Sequence, residues 1–483
     1  MKNIIVLILC FIVISLSLLF TACGECNHDF KNWETINAPT CVDMGTKIAH
    51  CSLCGLSKTE AIKPTGHTEI LLESVTPSCS STGLTAGVRC SLCDKILVEQ
   101  EIIAKNEHSF VDGTCEYCRI KYFTEDLEFT LNKSESGYEV SLGNCQNDII
   151  IIPSKYEGLP VEYIGATSFN NGNFSEIYIP SSILTIEEGA FKGCSNLQKI
   201  TIPFVGKSAD ATGKEALLGY IFGKEFFEST YLAKQAYPSP YINASYVAEY
   251  YIPLSLREVV LTGNLTFGAF DRCASLTSVT IPKTVMEIPN YAFRECTSLT
   301  SFYISENVSK IRGYSFIGCT SLSEYTVDAN NREYKSVDGH IFSKDGKIFV
   351  LYADGKRDVS FAINEGVTEI GNYAFYKNSK LEEISLPGTL EKIGYYSFDS
   401  SAALKIITIP SSVIYIDDYA FSHCKNLHKI FLPNELDYVG EGAFWKLRND
   451  AIIYYAGNSE NPKWDDQWNA SKYTVVFNSS SIE

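Results

Sequence analysis

A short pattern of apolar residues recurs along the C-terminal two-thirds of this chain. A typical copy, residues 381–398, reads LEEISLPGTLEKIGYYSF. Its L-x-x-I-x-L core alternates as a short strand does, with the apolar side chains directed inward. The following proline has no amide donor and ends the pairing, and L-x-x-I then forms a second short apolar edge. The closing Ser-Phe or Ala-Phe pair is predicted to fill the interior of the coil.

The phenylalanine that closes each copy returns at a fixed interval. The interval is 23 residues within each of two series, namely Phe270, Phe293 and Phe316, then Phe375, Phe398, Phe421 and Phe444. A strict period of this size predicts stacked supersecondary units and not one globular core, because a single unit cannot bury its own apolar edge. We therefore predict a mainly β and irregular solenoid with 23-residue units.

Ile-Pro, Ala-Phe and Cys-x-x-Leu steps recur together over residues 138–478. Through these recurring motifs, the segment resembles the BspA-type (Treponema pallidum-type) leucine-rich repeat of bacterial surface proteins. The resemblance implies a leucine-rich-repeat solenoid over residues 121–478. It also implies a role in binding, such as adhesion to surface proteins of a host or a neighbouring cell.

Three segments depart from the 23-residue pattern. Residues 204–250 look like an insertion common in the same family. Residues 334–356 contain the Asp-Gly steps 338–339 and 345–346, which predict a hairpin insertion with tight turns. Residues 450–478, with Trp464 and Trp468, look like the family's terminal cap, which a solenoid needs to cover its last unit.

Five repeat cysteines share one position, three residues after the phenylalanine of their unit: Cys194, Cys273, Cys296, Cys319 and Cys424. Other units have Asn378 or Ser401 at this place. All three residue types are small and form hydrogen bonds, so the position predicts a buried ladder that satisfies backbone groups in the turns. We favour this interpretation over a metal site or disulfides.

The N-terminus is predicted to be a targeting segment. Lys2 precedes an apolar run from Ile4 to Phe20, and small residues then lead to Cys23. A positive charge, an apolar stretch and small residues at the end of that stretch together predict a secretory signal over residues 1–22. The segment also resembles a bacterial lipobox, although Phe20 stands where leucine is usual. The resemblance implies lipid attachment at Cys23; ordinary cleavage or an uncleaved membrane helix are the alternatives.

Residues 23–120 form a cysteine-rich head, and nine of the 17 cysteines lie between residues 26 and 118. Two copies, residues 39–67 and 77–108, each contain a lone Cys, a Cys-x-x-Cys knuckle and a closing His. Such knuckles suit tetrahedral zinc, and segments this poor in large apolar residues need a staple. Disulfides are the alternative in an exported protein. The predicted structural zinc ligands, one ion for each copy, are Cys41, Cys51, Cys54 and His67, then Cys79, Cys90, Cys93 and His108, with His28 an alternative to His67.

The head also resembles the small Cys-x-x-Cys modules near the N-terminus of surface proteins from anaerobic bacteria. That resemblance implies a zinc-ribbon-like spacer close to the membrane anchor. A closed four-ligand site leaves no open position for catalysis, so the predicted role of the metal is structural.

Charge and motifs argue against most other functions. The formal net charge of -17 makes nucleic acid and anionic membrane surfaces poor electrostatic partners, which leaves membrane attachment to the lipid anchor. The chain has no phosphate-binding loop, no His-Glu-x-x-His and no Gly-x-Ser-x-Gly elbow. The repeat histidines, His340, His423 and His428, are predicted to lie at the surface. We therefore predict that the protein is not an enzyme.

The solvent-facing strand residues are the remaining candidates for function. The residue between two inward positions of each strand should point outward, in the row Tyr178, Thr201, Thr280, Tyr303, Thr326, Ser385, Thr408 and Phe431. Its aromatic members, Tyr178, Tyr303 and Phe431, are the predicted ligand contacts. Strand propensity explains the same residue types without any ligand. The 204–250 insertion is a second candidate surface.

These observations predict an extracytoplasmic, lipid-anchored, surface-exposed bacterial protein. Its expected activity is that of an adhesin, which presents a rigid face to a macromolecule of the host or a neighbouring cell. The alternative is a cell-envelope scaffold without a host ligand. A hydrolase with its site in the 204–250 insertion is a third, weaker hypothesis.

Overall fold

A computed structural model of the chain describes residues 27–78, 81–104, 110–111, 114–115, 123–239 and 245–479. Two compact units, residues 1–109 and 110–483, make up the chain. The predicted signal segment and Cys23, Cys79 and His108 lie outside the described residues. Within the described ranges, no helix has both the length and the apolar character needed to cross a membrane.

The first unit contains two small antiparallel sheets with the same plan. The first has strand order β1-β2-β3 and the second β4-β6-β7, with β5 and β8 paired beside it. In both, the Cys-x-x-Cys knuckle forms the turn between the second and third strands of the sheet. The strands are β1 Trp33–Asn37, β2 Gly45–His50, β3 Ser57–Ile62, β4 Glu69–Leu72, β5 Gly83–Leu84, β6 Gly87–Cys90, β7 Ile96–Val98 and β8 Ile102–Ile103.

The second unit is a β-solenoid, as the repeat predicted, of about 15 turns. Each regular coil contributes a short strand to each of two parallel ladders. One ladder runs β13-β16-β18-β21-β22, then β24-β26, then β30-β32-β34-β36-β38-β39, and the other includes β29-β31-β33-β35-β37. The strands are β9 Phe110–Val111, β10 Thr114–Cys115, β11 Glu128–Leu131, β12 Tyr138–Ser141, β13 Ile149–Ile151, β14 Lys155–Tyr156, β15 Leu159–Ile164, β16 Glu176–Tyr178, β17 Thr185–Ile186, β18 Lys199–Ile202, β19 Thr230–Pro238, β20 Ser245–Pro253, β21 Glu258–Leu261, β22 Ser278–Thr280, β23 Glu287–Ile288, β24 Ser301–Ile304, β25 Lys310–Ile311, β26 Glu324–Val327, β27 Tyr334–Val337, β28 His340–Ser343, β29 Ile348–Leu351, β30 Ser360–Ala362, β31 Glu369–Ile370, β32 Glu383–Ser385, β33 Lys392–Ile393, β34 Ile406–Thr408, β35 Tyr415–Ile416, β36 Lys429–Leu432, β37 Tyr438–Val439, β38 Ile452–Tyr455 and β39 Thr474–Phe477.

The register of the parallel ladders follows the 23-residue period. Ile407 lies opposite Ile430, and Ile430 opposite Ile453, so equivalent positions of successive coils meet. All three side chains are buried. The alternation read from the sequence therefore assigns the inward face of these strands correctly.

The unit phenylalanines form a buried spine, which confirms the prediction. Phe398 lies between Phe375 and Phe421, with ring centroids 4.9 and 5.0 Å away and the rings almost parallel. The stack continues from Phe421 to Phe444, at 5.5 Å. The spine thus joins neighbouring coils through their interiors.

Four of the five repeat cysteines form the predicted hydrogen-bonded ladder, whereas Cys273 accepts a hydrogen bond from Gln235 Nε2 at 3.6 Å. The thiols of Cys296, Cys319 and Cys424 each donate to the carbonyl oxygen of the unit phenylalanine one coil earlier, at 3.0 to 3.1 Å. Ser401 replaces the thiol with a hydroxyl and donates to the Phe375 oxygen at 2.8 Å. Burial raises the pKa of the Cys424 thiol above its usual range, so it stays a protonated donor.

The 204–250 segment leaves the stack and returns to it. Strand β18 pairs directly with β21, so the coils on either side of the segment remain neighbours. The segment contains two short 3₁₀ helices, Gly213–Ala216 and Leu218–Ile221, and leads into a long hairpin of β19 and β20.

The 334–356 segment forms the antiparallel strands β27 and β28 and then rejoins the parallel ladder through β29. Asp338 and Gly339 make the first turn with φ of 50° and 79°, the left-handed values that a two-residue hairpin requires. His340, predicted at the surface, is instead buried. It stacks on Tyr352, with centroids 4.6 Å apart, and Nδ1 accepts the Ala353 amide at 3.1 Å.

Trp464 and Trp468 cover the last coil. Both side chains are buried, and Trp468 packs edge-on against Phe444, the last phenylalanine of the spine. The strands β38 and β39 extend the parallel ladder past the final regular unit.

Candidate binding surface and metal-ligand clusters

The outward residues of the parallel strands form an exposed row on one face of the solenoid. Tyr303 is its most prominent member, with 48% of the residue exposed. The Tyr303 hydroxyl donates to Asp328, and this hydrogen bond raises the pKa of Tyr303 to about 12. Four smaller members of the row are exposed as well, namely Thr280, Thr326, Ser385 and Thr408. The row therefore offers one anchored aromatic ring among small polar side chains.

The predicted row is not exposed along its whole length. Phe431 is only 7% exposed, because Tyr454 of the cap strand β38 stacks on its ring at 4.8 Å. Thr201 is buried too, and Tyr178 is half-buried beside it. The prediction of exposure is therefore wrong for Phe431 and Thr201, and the accessible part of the row centres on Tyr303.

The β19–β20 hairpin has one buried and one exposed face. Ala233, Ala248 and Tyr250 share one face of the hairpin in the strand register, and all three are buried. The opposite face exposes apolar side chains, of which Phe226 is 69% exposed and contacts Tyr251 edge-on at 5.6 Å. The sequence pointed to the aromatic residues of this segment but missed its exposed aliphatic members, Leu232, Val247 and Leu254. For Leu232 and Val247, the available signal was their alternation with Ala233 and Ala248 along β19 and β20; Leu254 follows β20.

Buried polar groups hold the hairpin to the solenoid. The Gln235 side chain accepts the Gly219 amide at 2.8 Å and donates to the Asp271 carbonyl oxygen at 2.9 Å. The Asp271 carboxylate receives two hydrogen bonds of 2.7 Å from Arg294 and one from the Ala236 amide. Burial raises the pKa of Asp271, and Arg294 acts in the opposite direction. The exposed face of the hairpin is therefore carried by a fixed backbone.

Four predicted metal ligands meet in the first unit. Ligand atoms of Cys41, His67, Cys90 and Cys93 all lie within 4.8 Å of one another. The Cys41 and Cys90 sulfurs are 3.6 Å apart, and Cys93 Sγ is 3.5 Å from His67 Nδ1. This set combines residues of the two sequence copies.

A second cluster contains His28, Cys51 and Cys54, again with ligand atoms within 4.8 Å of one another. Cys54 Sγ lies 3.4 Å from His28 Nδ1. The hydrogen bond with His28 lowers the pKa of Cys51 to about 6, towards the thiolate that binds metal.

The structure groups the predicted ligands differently from the sequence. Cys41 and His67 approach the knuckle of the second copy and not Cys51 and Cys54 of their own copy. His28, the predicted alternative to His67, is the histidine that lies with Cys51 and Cys54. Cys79 and His108 lie outside the described residues, so their partners stay a matter of prediction.

The sequence matches the family model described as the BspA type leucine rich repeat region, in six copies over residues 138–215, 252–348 and 355–460. These ranges make up more than half of the chain. The protein belongs to this family. A search of curated proteins found no match.

Among solved structures, this BspA-type protein is similar to a leucine rich cell surface protein from Faecalibacterium prausnitzii, at 22% identity and a TM-score of 0.40. The match covers 75% of this chain and 98% of the other. The pneumococcal vaccine antigen PcpA shows 18% identity, the same two coverages and a TM-score of 0.41. The Treponema pallidum leucine rich repeat protein shows 18% identity, 58% and 88% coverage, and a TM-score of 0.23.

Proposed function

We propose that this protein is a surface adhesin whose repeat region binds a macromolecule of a host or neighbouring cell. Family membership supports a binding or scaffold role in general terms. The N-terminal sequence supports export and lipid attachment at Cys23. We propose that it works by binding, without turnover of a substrate.

The exposed row around Tyr303 is the observation that carries this proposal. Its residues stand on strands whose backbones are fixed by parallel ladders and by the buried core beneath them. A surface held in this way loses little conformational entropy when a partner binds. Tyrosine is also one of the residue types enriched among the side chains that contribute most to binding at interfaces.

Ligand capture tests the proposal. The full-length protein with Cys23→Ser, which cannot be lipidated, is immobilised and crosslinked to surface extracts of host and bacterial cells. We expect Tyr303→Ala combined with Thr326→Lys to weaken capture at least about 30-fold, as for loss of a central anchor worth about 2 kcal/mol. Thr320→Lys is the matched control, because it places the same charge on an exposed residue outside the row.

The same experiment separates the other candidates. Loss of capture with Phe226→Ala and Leu232→Ala, but not with the row variant, would move the site to the hairpin. Capture of nothing from either kind of extract would contradict adhesion and favour the scaffold. Cys23→Ala in cells tests the anchor, since the membrane fraction should lose the protein or its processing should stop.

A further inference from the structure

The two sheets of the first unit share one local design around their knuckles. In each, a histidine precedes the first strand, and the residue after it accepts an amide from the knuckle. Ser52 N–H donates to the Asp29 carbonyl at 3.4 Å, and Ser91 N–H to that of Thr68 at 2.8 Å. Each module therefore begins at its histidine, and we define the first as residues 28–62 and the second as residues 67–103.

With the boundaries drawn at the histidines, each of the two modules contains three ligands of its own. The first supplies His28, Cys51 and Cys54, and the second supplies His67, Cys90 and Cys93. The two histidine-to-cysteine distances, 3.4 and 3.5 Å, agree closely, so in both modules the histidine approaches the second cysteine of the knuckle in the same way.

The fourth ligand of the second triad comes from the first module. Cys41 lies in the loop between β1 and β2, and its sulfur is buried 3.6 Å from Cys90 Sγ. Thr40 fixes this loop: its hydroxyl accepts the Asp43 amide at 2.9 Å, and its carbonyl accepts the Thr65 amide at 3.0 Å. The loop is thus held against the segment that connects the modules.

The distances distinguish a metal from a disulfide. Zinc bonds of about 2.3 Å to sulfur and about 2.0–2.1 Å to nitrogen in a tetrahedron place two sulfurs about 3.8 Å apart and a sulfur and a nitrogen about 3.6 Å apart. The corresponding distances here are 3.6 Å for Cys41–Cys90 and 3.5 Å for Cys93–His67. A disulfide would require about 2.05 Å. None of the cysteines of the two clusters forms a disulfide.

We propose that a Zn²⁺ ion bound by Cys41, His67, Cys90 and Cys93 joins the two modules. The metal then links the two modules and does not only stabilise one of them internally. Three thiolates and one imidazole form a closed tetrahedral set, which suits structural zinc. Among the described residues, the second module supplies three of these four ligands and the loop of the first supplies the fourth, so zinc would fix how the two modules are connected. This inference is independent of the proposed adhesion.

Pairwise substitutions in the full-length protein test which cysteines share an ion. Zinc content is measured for Cys41→Ser, Cys90→Ser and Cys51→Ser and for their pairs, against Cys145→Ser, a buried cysteine outside both clusters. We expect Cys41→Ser and Cys90→Ser each to lose one equivalent and their combination to lose the same one. Cys41→Ser with Cys51→Ser should lose two. The reverse pattern would establish that each copy closes its own site and overturn the proposed link between the modules.

The unmodified protein provides a readout that does not depend on how variants fold. Chelator is added stepwise, and newly accessible thiols are alkylated and located by mass spectrometry. We expect Cys41, Cys90 and Cys93 to become reactive together, at a chelator concentration that need not expose Cys51 and Cys54. Release of Cys41 together with Cys51 and Cys54 would contradict the proposal. So would a zinc-free protein in which Cys41 is linked to Cys90 by a disulfide.

Discussion

Truncation of one ring in the phenylalanine spine should destabilise several coils. Phe398 is fully buried and stacks on Phe375 and Phe421, with interplanar angles of 5° and 3°. Phe398→Ala removes a buried aromatic side chain, which costs about 3–5 kcal/mol. We expect the upper part of this range, because each of the two ring pairs adds about 0.5–1.5 kcal/mol beyond the buried area.

The backbone determines where this loss should appear. The Phe375 amide donates to Ser397 O at 2.7 Å, and the Phe398 amide donates to Ala420 O at 2.8 Å. The ring and the hydrogen bonds therefore connect the same three coils. In a repeat protein stability is close to a sum over units and their interfaces, so one global unfolding energy is a poor measure of a local change.

Hydrogen exchange followed by mass spectrometry resolves the change by segment. We expect faster amide exchange in Phe398→Ala over residues 370–426 and unchanged exchange over residues 138–165. Phe226→Ala is the matched control: the same atoms are removed from an exposed ring, so the change should stay within about 0.5 kcal/mol. Exchange that increases only within residues 392–404 would refute the coupling of neighbouring coils, and no increase at all would refute the spine.

Three further changes have definite expected outcomes. Burial lowers the pKa of His340 from 6.5 to about 4, so the unfolded state binds the proton more readily. The resulting stability is complete above pH 6.5 and is lost as the pH falls towards 4, by about 3 kcal/mol. In unfolding measurements at pH 7 and pH 4, His340→Gln should lack this part of the change in unfolding free energy. An equal change in the variant and the unmodified protein would contradict the prediction. Cys424→Ser should lower the stability to thermal unfolding less than Cys424→Val does. Ser401 already acts as a donor at the equivalent position of its unit, whereas valine would leave the Phe398 oxygen unpaired. Equal losses of stability would show that the hydrogen-bonded ladder does not contribute. Asp271→Asn should cost about 3–5 kcal/mol by leaving Arg294 without its carboxylate, with faster hydrogen exchange in β19 and β20; unchanged exchange there would show that the ion pair does not hold the hairpin.

The sequence by itself determined the repeat, its period and its inward face. A 23-residue interval between buried phenylalanines requires stacking, and alternation assigns Ile407 and Ile430 to the interior without any knowledge of neighbours. The cysteine ladder was also predictable, since Cys, Asn and Ser replace one another at one position. These features are local and periodic, and every unit restates them.

Only the tertiary structure determined the features that depend on contacts between residues distant in the sequence, because the repeat pattern does not specify those contacts. Alternation directs Phe431 outward, but only the cap strand brings Tyr454 onto its ring. The Asp-Gly turn marks a hairpin, but its return to the ladder is what buries His340 among aromatic rings. In the head, the sequence repeat shows which residues recur, but it does not show where one folded module ends and the next begins. Cys41 therefore meets Cys90, 49 residues away, because adjacent modules pack together in space, and spacing along the chain carries no record of that contact.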